Sequence, residues 1–137
     1  MKTEQPILIT SIKAAANISK NYLVGFDGNI CSNNAKPLGV SNADASTDEQ
    51  LPLVCKGIAL VYSYKALSQG DPLVCHTGKV NTADSLAVGI PVDTTPVLSD
   101  AAQPTLSLTG SILPQVIVGY ALDDASGADV LIRILLV

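Results

Sequence analysis

Charge is scarce in this chain, and the scarcity excludes several classes at once. Only 15% of residues are charged, against a usual share of about 25%, while 47% are hydrophobic. Disordered chains have the opposite balance. A surface this poor in ions leaves apolar area to meet another protein. The formal net charge of −4 is unevenly spread. Residues 1–79 hold seven of the eight basic residues and six of the twelve acids, whereas residues 80–137 hold Arg133 alone against six acids. An acidic C-terminal half lacks the basic footprint that nucleic acid requires. No run of 18 apolar residues is present, so no transmembrane helix and no membrane partner are expected. The start, Met-Lys-Thr-Glu-Gln-Pro, has no apolar h-region. A signal peptide is therefore not expected, and synthesis in the cytoplasm is.

Chemistry-bearing constellations are equally thin. The three cysteines, Cys31, Cys55 and Cys75, form no CxxC pair, and their spacings of 24 and 20 match no common zinc module. Free, largely buried thiols are expected. Cys75 and His76 are adjacent on a strand-like run, where side chains alternate between faces, so they do not read as a nucleophile–base pair. Asp44, Asp48 and Glu49 share a polar loop that lacks the EF-hand glycine. Asp123 and Asp124 are an adjacent carboxylate pair, on a turn where solvation is the plainer reading than acid–base work. No phosphate-cradling glycine loop occurs. No catalytic, cofactor-binding or metal residue is assigned, and the chain is not expected to be an enzyme.

What the chain does contain is a hairpin signal, twice. Gly70-Asp71 turns the chain, Pro72 to Cys75 is strand-like, Thr77-Gly78 turns it again, and Lys79-Val80 starts the return. Fifty positions earlier, Leu23-Val24 and Asp27-Gly28 match Leu73-Val74 and Thr77-Gly78. Eighty positions after Gly39, Asp44, Ala45, Ser46, Leu51 and Val54 stand Gly119, Asp124, Ala125, Ser126, Leu131 and Ile134. Self-similarity at fixed offsets reads as a degenerate duplication. Its units span 14–55 and 64–137, with an insertion within 81–117.

Around these units lie further strand-like runs. Pro6 to Ile12 is β-branched, precedes the first unit and reads as an N-terminal arm strand, so residues 1–13 are set apart from a single β-domain at 14–137. Leu53 to Lys65 alternates, with Ile58, Leu60, Tyr62 and Tyr64 on one face. Leu86–Val92, Thr105–Thr109 and Gln115–Leu122 are further strands, and Asp93–Pro104 is a turn-rich tip. Asp129 to Val137 is nearly all apolar and reads as buried on both faces, with Arg133 its one charge. Short strands, frequent turns and little helix predict an all-β barrel or sandwich.

The C-terminal residues carry a resemblance. Val118-Gly119-Tyr120-Ala121-Leu122, Asp124-Ala125-Ser126-Gly127 and Val130-Leu131-Ile132-Arg133-Ile134 resemble the closing segment of the small capsid-decoration, or cement, proteins of tailed bacteriophages and prophages. Ala66-Leu67, Gly70-Asp71, Leu73-Val74 and Gly78-Lys79-Val80 resemble the central segment of that group. The resemblance implies a β-barrel-like structural virion protein on the capsid exterior, made in the host bacterial cytoplasm. It implies the major capsid protein as partner and a small symmetric homo-oligomer, expected here as a trimer. It carries over no active site and no cofactor. A phage tail or fibre adaptor is the other structural class that fits this composition. Lys2, Ile7, Leu8, Ile9, Ile12 and Lys13 on the arm strand are the candidate capsid or subunit contacts.

Overall fold

The computed structural model describes residues 2–83 and 115–137. The expected strands at 86–92 and 105–109, the tip at 93–104 and most of the expected insertion lie outside the described residues. Eight strands are described: β1 (Gln5–Lys13), β2 (Leu23–Val24), β3 (Gly39–Ser41), β4 (Gln50–Tyr62), β5 (Pro72–His76), β6 (Lys79–Thr82), β7 (Gly119–Ala121) and β8 (Leu131–Leu136). Paired strands run in the order β2-β3-β4-β8-β7-β5-β6, and β1 bonds to β4 outside that path. All of these pairings are antiparallel. The sheet curls until its ends approach. The Leu23 N–H donates to the Gly78 carbonyl at 2.7 Å, and the Tyr64 N–H to the Val80 carbonyl at 2.8 Å. The outcome is an all-β fold without helix among the described residues, an antiparallel sheet nearly closed into a barrel.

β4 is the spine. Its alternation places Ala59 and Val61, followed by Ser63, inside with no exposure, and leaves Ile58, Leu60 and Tyr62 half-buried. The small residues face the crowded interior. β1 pairs with the first part of β4, from Gln50 to Ile58, and β8 with the second, from Gly57 to Tyr62. The change of partner falls at Gly57, whose φ is +103°. A Cβ there would lie 2.4 Å from the Gln5 carbonyl oxygen and 2.8 Å from the Ile7 nitrogen. Opposite it the β1 register shifts between Pro6 and Leu8, leaving Ile7 out of the pairing as the extra residue of a bulge. Pro6, which has no N–H to donate, sits beside that break.

β8 is buried on one face and not on both. Ile132 and Ile134 have no exposure, while Leu135 is 43% exposed. Arg133 lies on the outer side too. Its Nε and terminal nitrogen donate to the two Asp123 carboxylate oxygens at 3.1 and 3.0 Å. The continuous apolar run implied two covered faces, but β8 lines a single curved layer.

The pairing recurs along the chain. Ile18 and Ala45 exchange two backbone hydrogen bonds, and so do Leu67 and Ala125. Asp44 Oδ1 accepts the Lys20 N–H at 2.7 Å, and Asp124 Oδ1 accepts the Gln69 N–H at 2.7 Å. Leu23↔Val40 and Val24↔Gly39 correspond to Pro72↔Tyr120 and Leu73↔Gly119. Ile12↔Leu51 and Thr10↔Leu53 correspond to Val61↔Ile132 and Ala59↔Ile134. The offset is forty-nine in the first member of each pair and eighty or eighty-one in the second. Val24, rather than Leu23, therefore holds the position of Leu73. β1 also takes part, since it stands to the first half of β4 as the second half of β4 stands to β8.

Two clusters fill the interior. Ala14, Ile18, Val24, Ala45, Leu51 and Leu53 form the smaller. Their counterparts Leu67, Leu73, Ala125, Ile132 and Ile134 belong to the larger, which also takes in Leu23, Val40 and Val54 from the other side of β2, β3 and β4.

Candidate docking surface

The bulge at Gly57 determines what β1 shows to solvent. Ile7 is 83% exposed, and Leu8 and Ile9 are each about half exposed. Ile12 instead packs against the smaller core cluster. Both expected lysines have partners within the chain. Lys2 Nζ donates to the Leu131 carbonyl at 2.7 Å, and Lys13 Nζ lies 3.3 Å from an Asp48 carboxylate oxygen. Of the six residues predicted from sequence, Ile7, Leu8 and Ile9 form an exposed apolar strip, while Ile12 is turned inward.

The strip borders a groove of about 290 Å³ lined by Leu8, Phe26, Pro37, Leu38, Leu136 and Val137, among others. Phe26 is 65% exposed at the tip of the hairpin that ends at Asp27-Gly28. Sequence reasoning missed Phe26 as a surface group, although the signal was available. It is the chain's one phenylalanine, placed directly before a two-residue turn signal, where a side chain finds few neighbours. Lys36 and Lys56 add positive charge to the groove wall.

The polar groups elsewhere are engaged structurally. Arg133 beside Asp123 holds its carboxyl down at about 2. Cys75 Sγ lies 3.4 Å from the Cys31 carbonyl oxygen, while His76, on the other face, stacks on Tyr64 with centroids 3.6 Å apart. The thiol and the imidazole thus point apart. The neighbouring Cys75 sulfur and burial together push the Cys31 thiol up. All three cysteines are free. Among the described residues, no three His, Cys, Asp or Glu side chains group to hold a metal ion.

No family model matches this chain. No curated protein matches it. Among solved structures, the crystal structure of the head fiber gp8.5 N base in bacteriophage phi29 matches it with a TM-score of 0.62. The two share 15% sequence identity, over 95% of this chain and 93% of that one. At that identity the likeness is one of fold, and it spans nearly the whole of both chains.

Proposed function

We propose that this chain is a structural protein of a bacteriophage head that binds the outer surface of the capsid and stabilises it. The observation that carries the reading is the end-to-end fold likeness to the base of a phage head fibre. The exposed β1 strip supports it. Ile7, Leu8 and Ile9 lie on a strand that bonds to β4 alone among the described strands, beside an apolar groove. Such a surface binds by main-chain pairing and apolar burial rather than by chemistry. The partner in this reading is the major capsid protein, and the location is the virion exterior. No catalytic step, cofactor or nucleic acid is called for.

The neighbour's description as a fibre base favours a second reading, in which the chain anchors a fibre or adaptor instead of cementing the shell. Sedimentation separates the two. Bare heads, fibre-free tails and buffer are each mixed with the protein and pelleted. Cementing predicts saturable binding to heads and a raised temperature of head disruption. Anchoring predicts binding without that gain. The double variant Ile7→Asp, Ile9→Asp should bind heads at least tenfold more weakly while melting like the wild type. Equal binding of that variant would remove β1 from the contact. Failure of the wild type to bind heads would remove the reading.

A further inference from the structure

We propose that the outer face of β5, β7 and β8, at Pro72, Tyr120 and Leu135, receives a second copy of this chain, which docks head to tail through its Phe26 hairpin and Lys13 at the end of β1. The inference rests on the recurrent pairing and does not depend on what the protein attaches to.

The recurrence divides the barrel into a first half (β1, β2, β3 and the start of β4) and a second half (the end of β4, then β5 to β8). In the first half, Val24, Leu51 and Leu53 point into that half's own core. The opposite face of the same strands carries Leu23, Val40 and Val54, which are 0–1% exposed because the second half covers them. The cover is the β5–β6 hairpin. The Gly78 carbonyl accepts the Leu23 N–H, and a Cβ at Gly78 would lie 2.7 Å from Ile30 and 3.3 Å from Tyr22. The Thr77 N–H donates to Asn33 Oδ1 at 2.8 Å. Tyr62 packs on Tyr22 with centroids 5.5 Å apart.

The counterparts of these two surfaces are both open. Leu23, Val40 and Val54 correspond by pairing to Pro72, Tyr120 and Leu135. Pro72 is exposed, and Tyr120 and Leu135 are each 43% exposed. The counterpart of the covering hairpin is the one that carries the exposed Phe26 at its tip. The interface inside the chain is therefore heterologous, since one half offers its sheet face and the other its hairpin. Each half keeps the unused partner surface. A contact of this kind repeats from chain to chain and closes into a ring when the rotation permits.

Charge agrees with this pairing. The Tyr22–Tyr62 contact inside the chain maps onto Asp71 and Lys13, by the same offset of forty-nine that relates Leu23 to Pro72. Between copies, the aromatic pair becomes an acid facing a base. Lys13 is exposed and at the end of β1, within reach of a partner as well as of Asp48.

The test uses the full chain and two surface variants, Phe26→Asp on the hairpin and Tyr120→Asp on the sheet face. Sedimentation equilibrium should show the wild type as an assembly of more than two chains of 14.1 kDa. Each variant alone should fall to monomer, with a melting temperature within a few degrees of wild type. Mixed in equal amounts, the two should form a dimer and nothing larger, because each supplies the surface that the other lacks. If Tyr120→Asp melts much lower than wild type, Leu135→Lys replaces it. A monomeric or two-fold dimeric wild type, single variants that keep the full assembly mass, or a mixture that stays monomeric would each overturn the proposal.

Discussion

Gly119 and Gly39 occupy corresponding positions, and both should fail to accept a methyl group for a reason that has nothing to do with backbone torsion. Neither has a positive φ. A Cβ on Gly119 would lie 2.2 Å from the Leu135 carbonyl oxygen and 3.0 Å from its carbon, on the strand that β7 pairs with. On Gly39 it would meet the Val54 carbonyl oxygen at 2.6 Å. Backbone cannot rotate aside as a side chain can, so β7 must separate from β8. Overpacking typically costs about 1–3 kcal/mol, and Gly119→Ala belongs at the upper end, about 3 kcal/mol, with Gly39→Ala slightly below it. Two controls isolate the cause. Gly70 has a φ of +89° but open space around a Cβ, so Gly70→Ala should cost only the torsional penalty of about 1 kcal/mol. Gly127 has open space and no positive φ, so Gly127→Ala should stay within about 0.5 kcal/mol. Urea unfolding, followed by circular dichroism at constant m-value, gives the four differences. In a chain of this size about 3 kcal/mol lowers the melting temperature by roughly 10 °C. A Gly119→Ala protein as stable as Gly127→Ala would refute the close approach of β7 and β8, and with it the register.

The remaining expectations concern polar groups. Asp123 is held near 2 by Arg133, below its ordinary 3.8, so its contribution is full above about pH 4 and is lost as pH falls through 2. Arg133 is 38% exposed and the pair is screened, so the contribution is about 1 kcal/mol. Asp123→Asn should lose that amount at pH 7 and none near pH 1.5, measured by urea unfolding at both. Ser63 is fully buried, with its hydroxyl donating to the Gly127 carbonyl at 2.6 Å and accepting the Val130 N–H at 3.2 Å. Ser63→Ala should cost about 1–2 kcal/mol by leaving those groups unpaired. With Ellman's reagent, Cys55, which is half-buried, should react first, and Cys31 and Cys75 only on unfolding, because both are buried and shielded from the reagent. Three equally fast thiols would contradict the packing.

Strands were legible wherever composition and alternation agreed. β1 spans Gln5–Lys13 where Pro6–Ile12 was expected, and β4 spans Gln50–Tyr62 where Leu53–Lys65 was expected. The exposed strip was legible in part. Ile7, Leu8 and Ile9 are surface residues, but Ile12 is not, and nothing in a run of isoleucines announces a bulge. The signal lay in Gly57, on the partner strand, which no local reading of β1 consults. The C-terminal strand misled for a related reason. Leu131 to Leu136 is apolar on both sides, yet only Ile132 and Ile134 are fully buried. An apolar outer face looks the same in sequence whether its cover is the same chain or another.

The recurrent pairing shows most clearly what residue matching registers and what it misses. Matching at an offset of fifty aligned Gly28 with Gly78, because turn glycines are the most visible residues. Hydrogen bonding puts them elsewhere. The Ala15 N–H donates to the Gly28 carbonyl as the Tyr64 N–H donates to the Val80 carbonyl, so Gly28 corresponds to Val80. The Cys31 N–H donates to the Leu23 carbonyl as the Ala83 N–H donates to the Pro72 carbonyl. The outgoing strands are thus offset by forty-nine and the returning ones by fifty-two, since the second hairpin is three residues longer. Fifty is a compromise between two registers. In a strand, a slip of one residue exchanges inside for outside, so the compromise paired Leu23 with Leu73 and concealed the more informative correspondence. Val24 and Leu73 each fill the core of their own half, while Leu23 and Pro72 lie on the outer face of theirs. One of those outer faces is covered and the other open. That asymmetry, invisible at an offset of fifty, is what makes the contact between the halves directional, and the proposed docking of a second copy rests on it.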